Sequence, residues 1–387
     1  MTPDRIELLI IVVAAVALLV QRLRLPYTVG LMLAGFGLGV MPGNESLHLT
    51  KELVFMFLLP PLVFEAALNL RLPELQKDLV FIGTMATLGL VVSAAIVATG
   101  AVVFLGWTPQ VSVLFAVLIS ATDPVSVIAM FKEAKKRSRI RLLLEAESLL
   151  NDGTAAVAFT LASAVAMGGD ASPIHALGQF TYSAFGGVWA GILTGWGGLI
   201  LVGRTDDPMV EIAITVATAY GSFLLAQHFG MSGVLATVAA GIVAGTYGSK
   251  GHFTERGIEA TDNFWEFSAF AANSVIFLLI GARVVHIPLA QYGFPILIGV
   301  MLVLAGRAAS VYGIGAAFSK TSWKVDLAGQ HLLFWGGLRG ALALALVLGI
   351  PESTRHATGV TAVTFGIVAF SVIVQGITMK PLVAKTV

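Results

Sequence analysis

Apolar runs of membrane-spanning length recur along almost the whole chain. A helix needs about 20 apolar residues to cross the hydrocarbon core of a bilayer. Runs near that length lie at roughly 6–21, 26–40, 52–68, 79–104, 109–131, 142–168, 177–203, 209–227, 231–247, 262–282, 289–318, 327–349 and 357–379. The alternation of barrel strands is absent, so helices are the remaining way to satisfy a backbone in lipid. The expected fold class is all-α: a polytopic membrane protein of about 13 transmembrane helices, forming one transporter-sized domain over 1–387. Composition points the same way, with 57% hydrophobic residues, 12% charged residues and a mean hydropathy of +0.89. Soluble chains carry about 25% charge. A soluble globular protein and a disordered one are therefore excluded. The absence of cysteine excludes a disulfide scaffold, a thiolate metal site and a cysteine nucleophile. A net charge of +1 gives no reason to expect a nucleic-acid partner. The first run follows acids and lacks a small-residue cleavage site, so it reads as a retained span rather than a signal peptide.

The distribution of basic residues tests the count of spans, because cytoplasmic loops collect Lys and Arg. With thirteen spans and the N-terminus outside, 17 of the 23 Lys and Arg fall on the inner side. Arg5, Lys51, Arg283 and Arg355 fall outside, and Arg307 and Arg339 lie within spans. Adding or removing one internal span would scramble this split. The expected location is the cell membrane, with the C-terminus cytoplasmic and lipid all round. The longest polar stretch, about 248–261, is too short for a soluble domain.

A charge at mid-bilayer costs at least about 2.5–3.5 kcal/mol and marks function by default. The inventory is Glu65, Asp123, Glu145, Glu147, Asp152, Arg307 and Arg339. Glu211 and Glu266 stand near span ends, where snorkelling to water is the expectation. In span 5, Thr122-Asp123-Pro124 reads as a helix that stops and restarts: Pro removes a backbone donor, and Asp followed by Pro suits a helix start. The freed carbonyls are candidate cation ligands, and Asp123 offsets the positive end of the second half-helix. In span 6, Glu147 and Asn151 share one helical stripe, and Ser148 and Asp152 share the next. An uncharged run follows Asp152, which places it well inside. Glu145 either lines a funnel or solvates the helix start. In span 12, Gly336-Gly337-Leu338-Arg339-Gly340 can break a helix and set Arg339 among negative helix ends. A buried Arg307 needs an acid, with Glu147 the first candidate and Asp152 the second. The broken helix is the fifth span in each set of six on either side of span 7. Such an inverted repeat is a transporter pattern.

These segments resemble the monovalent cation:proton antiporter superfamily, in the branch of the NhaP antiporters and the sodium/proton exchangers. The matching stretches are Leu59-Pro60-Pro61-Leu62-Val63-Phe64-Glu65-Ala66, Ala121-Thr122-Asp123-Pro124, Glu145-Ala-Glu147-Ser148-Leu-Leu-Asn151-Asp152-Gly153, Gly233-Val-Leu-Ala236 with Ala240-Gly241, Phe264-Trp265 through Asn273-Ser274, and Gly336-Gly337-Leu338-Arg339-Gly340. They run in family order from span 3 to span 12. Ala146 stands where the family has Gly. The resemblance implies an NhaA/NhaP-like fold with Asp152 as the ion-binding carboxylate. Thr122, Asp123 and Ser148 would complete a sodium site with backbone and water oxygens, and Glu147 with Arg307 would form a structural ion pair. Asn151 stands where electrogenic relatives carry a second Asp, which implies 1:1 electroneutral exchange. A homodimer is implied, with a scaffold of about 1–70 and 177–286 and a mobile core of about 79–168 and 289–387.

The expected function is exchange of sodium or lithium for protons by alternating access, without a cofactor and without enzymatic activity. Desolvation favours a neutral carboxylate and a nearby cation favours a charged one, so one acid can bind either species. Exchange of potassium for protons is the alternative within the same superfamily. A cation channel would repeat a filter around a symmetric oligomer, whereas the polar groups here cluster within single helices. An intramembrane serine protease would use Ser232 in Gly230-Met231-Ser232-Gly233 with a His base, but His228 is only two residues before that motif. The glycines of Gly35-Phe-Gly37-Leu-Gly39 sit in an apolar span without a flanking strand and read as helix packing. Asn44-Glu45-Ser46 matches a glycosylation acceptor. The seven His show no metal-ligand spacing.

Overall fold

The computed structural model describes residues 3–23, 26–41, 50–123, 127–128, 130–131, 138–168, 172–285, 287, 289–351 and 354–386. Pro124, Asn44-Glu45-Ser46 and the basic residues Arg24, Lys132, Lys135, Lys136 and Arg137 lie outside them. Among the described residues every regular element is helical. In chain order the helices are α1 (Pro3–Leu23), α2 (Tyr27–Val40), α3 (Leu53–Leu68), α4 (Leu72–Leu105), α5 (Pro109–Ser120), α6 (Arg139–Ala166), α7 (Pro173–Val202), α8 (Pro208–His228), α9 (Gly233–Tyr247), α10 (Glu255–Val284), α11 (Gly293–Ala317), α12 (Leu327–Gly336), α13 (Ala341–Leu348) and α14 (Ala357–Val383). Among the described residues, eight helical segments are long and apolar enough to span a membrane, and five shorter apolar helices occupy the other expected spans. Span 5 is α5 followed by helical residues at 127–128 and 130–131, and span 12 is the α12–α13 pair.

Several helix starts lie outside the apolar limits, among them those of α4, α6 and α10. α4 begins at Leu72 rather than 79, with Pro73 in its first turn and Glu74 beside its positive end. α6 begins at Arg139, capped by the Ser138 hydroxyl. α10 begins at Glu255 within the polar stretch, where the Thr254 hydroxyl accepts from Gly257 N.

At Pro61 another helix supplies the donor that the proline removes. Pro61 has no N–H for the Phe57 carbonyl four residues back. The Tyr220 hydroxyl of α8 donates to that oxygen at 3.0 Å. The first part of α3, Leu53–Leu58, is wound as a π-helix. α4 has a similar widening at Met85–Gly89. There the Ala86 carbonyl accepts from the Thr154 hydroxyl of α6 at 2.8 Å.

The helices pack in two groups. α2 and α3 lie on α10, α3 also on α9, and α7 on α8 and α9. α4 lies on α5 and α11, and α14 on α11, α12 and α13. α6 belongs with α4 and α5 but also touches α7 and α9, so the groups meet along it. Small residues let backbones touch: a Cβ at Gly35 would overlap the Leu278 carbonyl, and one at Gly281 would overlap that of Met32. At one end of the second group the Arg139 guanidinium binds Asp78 of α4. It also donates to the carbonyls of Lys324 at 2.8 Å and Trp323 at 3.2 Å, before α12.

Glu211 does not snorkel. It is fully buried, and its carboxylate accepts from the Thr254 backbone at 3.1 Å, at the positive end of α10. Gly257 leaves the room for it, since a Cβ there would overlap Glu211 Oε2. Glu266 is exposed.

Candidate functional site

The two breaks meet in the second group of helices. α5 stops at Ser120, and Ala121 turns extended (φ −57°, ψ 137°). α12 stops at Gly336 and α13 starts at Ala341. Asp123 N donates to Leu338 O at 2.8 Å, so one break is hydrogen-bonded to the other. Each then supplies a charge to the other's half-helix. The Asp123 carboxylate faces the N-terminus of α13, with Ala341 N at 3.4 Å. The Arg339 guanidinium sits at the C-terminus of α5, donating to Ser120 O at 2.6 Å and Ala121 O at 3.1 Å. Each charge has the sign that its helix end favours. Asp123 thus serves the start of α13. The expected partner, the second half-helix of span 5, begins outside the described residues. A Cβ at Gly340 would overlap Asp123 Oδ2, and one at Gly337 would lie 2.5 Å from Arg307 Nε. Two of the glycines around Arg339 therefore leave room for charged side chains.

α6 stitches itself to the first break. The Ser148 hydroxyl donates to Thr122 O at 2.5 Å. The Asn151 amide donates to Ser120 O at 2.9 Å and to the Thr122 hydroxyl at 3.3 Å. On the stripe of Asn151, Glu147 forms a two-pronged ion pair with Arg307 at 2.8 and 2.9 Å. Arg307 also donates to Leu333 O at 2.9 Å, a carbonyl whose helical partner four residues on is lost to the break. Glu147, Arg307 and Arg339 are all buried.

The freed carbonyls are consequently not spare. Those of Ser120, Ala121, Thr122, Leu333 and Leu338 each have a named donor. Among the described residues, the buried oxygens of the cluster that accept no hydrogen bond are Asn151 Oδ1 and Asp152 Oδ1. Asp152 lies within hydrogen-bond reach of the Thr122 backbone, and the nearby charges are Asp123, Glu147 and Arg339. Asp123 and Asp152 keep partial exposure, whereas Thr122, Ser148 and Asn151 are buried. The site is thus two carboxylates, that of Asp152 with a buried oxygen, on a buried, hydrogen-bonded frame. Oxygen donors of this kind suit a hard cation. No cluster of three or more His, Cys, Asp or Glu suited to a resident metal occurs among the described residues.

Other candidates lie elsewhere. Glu145 is buried and 3.7 Å from Arg141, one turn back toward the start of α6. Glu65 is half-buried on α3 and accepts from the Asn69 amide at 3.0 Å. Ser232 caps α9, accepting from Leu235 N at 3.3 Å. It is buried while His228 is exposed, which removes the protease reading. Charge-based reasoning passed over Ser371 and Gln375, both buried on α14 at the second break. The available signal was a Ser and a Gln four apart in a span whose other polar residues are all Thr.

A family model described as "Sodium/hydrogen exchanger, transmembrane" matches residues 8–385. The Na(+)/H(+) antiporter ApNhaP of Aphanothece halophytica is 37% identical over 365 residues, covering 94% of this chain and 70% of the relative. The low-affinity Na(+)/H(+) antiporter NhaS1 of Synechocystis is 36% identical over 363 residues, covering 92% of this chain and 69% of the relative. Among solved structures, the sodium proton antiporter MjNhaP1 of Methanocaldococcus jannaschii matches with a TM-score of 0.81 at 19% identity, over 99% of this chain and 98% of that one. At that identity the likeness shows a shared fold, that of a polytopic helical antiporter.

Proposed function

The chain belongs to the sodium/hydrogen exchanger family, and from that premise we propose that Asp152 is the group through which it trades one sodium ion for one proton. The protein is a secondary transporter that exchanges sodium for protons across a membrane. The observation that carries the role of Asp152 is its unpartnered carboxylate oxygen, beside a frame whose other charges are already offset. Glu147 is balanced by Arg307. Asp123 and Arg339 each face a helix end of opposite sign. The charge left over on Asp152 is met by a cation or by a proton, never both. If the other groups keep their charge throughout, each cycle moves no net charge.

In this reading Asp123, Thr122 and Ser148 shape the cation site around Asp152, while Asn151 holds α6 against the first break. α4–α6 and α11–α14 form the moving core, and α1–α3 and α7–α10 the scaffold. The hydrogen-bonded breaks and the Arg139 contacts support the core's moving as one body. The N-terminus is outside and the C-terminus cytoplasmic, on the strength of the basic-residue split. A second copy of the chain and membrane lipid are the partners, and the exchange needs no cofactor.

The test is proton flux in proteoliposomes driven by sodium, lithium or potassium, with Asp152→Asn as the control. The variant is expected to fold and to lose exchange. Sodium-driven proton flux at the wild-type rate in Asp152→Asn would overturn the assignment.

A further inference from the structure

The second break is held from a direction that the site described above does not use. Among its orphaned backbone groups are the Trp335 carbonyl, whose helical partner four residues on is Arg339 N, and Arg339 N itself. Both are satisfied by one turn of α14. Arg339 N donates to the Ser371 hydroxyl at 2.8 Å. That hydroxyl donates to Gln375 Oε1 at 2.6 Å. The Gln375 amide then donates to Trp335 O at 3.3 Å. Ser371 to Gln375 is wound as a π-helix inside an otherwise α-helical span, and such widenings are frequent at functional sites. Ser371 and Gln375 are 1% and 4% exposed, so water does not substitute for either. The chain of three hydrogen bonds replaces the single helical bond from Arg339 N to Trp335 O that the break removes.

This relay ends on the residue whose guanidinium holds Ser120 and Ala121, two and one positions before Thr122. Arg339 is also one of the charges that Asp152 feels. A long side chain anchored at its backbone by Ser371 has its reach fixed. Without that anchor it can slide along the row of carbonyls and change its distance from the carboxylate. We propose that Ser371 and Gln375 are positioning residues for exchange. They set the register of the second break and, through Arg339, the affinity of the cation site at Asp152.

This inference rests on Asp152 being the ion-binding group, and the experiment separates the two. Sodium-dependent proton flux is measured in proteoliposomes as a function of sodium concentration and pH for Ser371→Ala, Gln375→Met, the double variant and Ser371→Thr, with thermal stability recorded for each. Gln375→Met keeps the volume and removes the hydrogen bonds. Ser371→Thr keeps the hydroxyl. Each single variant is expected to raise KM for sodium by roughly 3- to 10-fold, the range for loss of one hydrogen bond. The pH profile should move with it and the maximal rate should change less. Ser371→Thr should restore wild-type KM, and the double variant should be no worse than the more affected single one, because both act through one chain. Wild-type KM and pH profile in the folded variants would overturn the inference. So would a loss confined to thermal stability or to the amount of folded protein. Asp152→Asn run alongside decides the premise: its continued exchange overturns the ion-site reading, whereas a dead Asp152→Asn with a wild-type Ser371→Ala overturns only the positioning role.

Discussion

The two breaks solve one problem with opposite chemistry. The first, at 121–123, leaves a negative helix end and is met by a cation, Arg339. The second, at 337–340, leaves a positive helix end at α13 and is met by an anion, Asp123. The difference lies in who else attends them. The first is lined by α6, through Ser148 and Asn151, with Asp152 next in sequence. The second is held by α11 through Arg307 and by α14 through Ser371 and Gln375. Among the described residues, only the first has an oxygen-rich helix with an unpartnered carboxylate oxygen beside it. On the proposed reading the ion chemistry belongs to the first break, and the second gives it electrostatic and mechanical support.

The largest expected effect comes from removing a support of the second break. Glu147→Gln leaves Arg307 buried without its anion, which costs about 3–5 kcal/mol. Thermal unfolding in detergent should show that loss, and the double variant Glu147→Gln with Arg307→Leu should recover part of it. No recovery would mean that Arg307 is held chiefly by the Leu333 carbonyl.

Gly340→Ala acts where the breaks touch. Its methyl group displaces the Asp123 carboxylate from the start of α13, an overpacking cost of about 1–3 kcal/mol. Exchange should fall more than stability does, measured as flux per folded molecule. Equal losses would reduce the contact to a packing role.

Glu211→Gln gives the smallest effect and sharpens the contrast. Glu211 is another buried carboxylate at a helix start, but in the other group of helices and away from both breaks. Losing its charge should cost about 1 kcal/mol of stability and leave KM for sodium unchanged. An altered KM would show that this group of helices also tunes the site.

Much of the fold was legible because lipid imposes simple rules. Length of apolar run, basic-residue bias, and Pro or Gly beside a charge located thirteen segments and two interruptions. What stayed hidden depends on partners far apart in sequence. Glu211 read as a snorkelling residue because its partner, Thr254 N, belongs to a polar stretch that looked like a loop. Ser371 and Gln375 carry no charge, so a search for costly charges passed them by. The glycines at 337 and 340 advertised a break, but not that Arg307 and Asp123 fill the space they leave. The carbonyls at the first break read as free because Ser148, Asn151 and Arg339 come from other helices.

The most direct test of Asp152 as the shared site is proton release on sodium binding, measured in weakly buffered detergent solution. The pH is chosen so that the sodium-free protein holds the proton. The account predicts about one proton released per sodium bound in the wild type and none in Asp152→Asn. Undiminished release from Asp152→Asn would place the exchanging proton on another group and contradict the account.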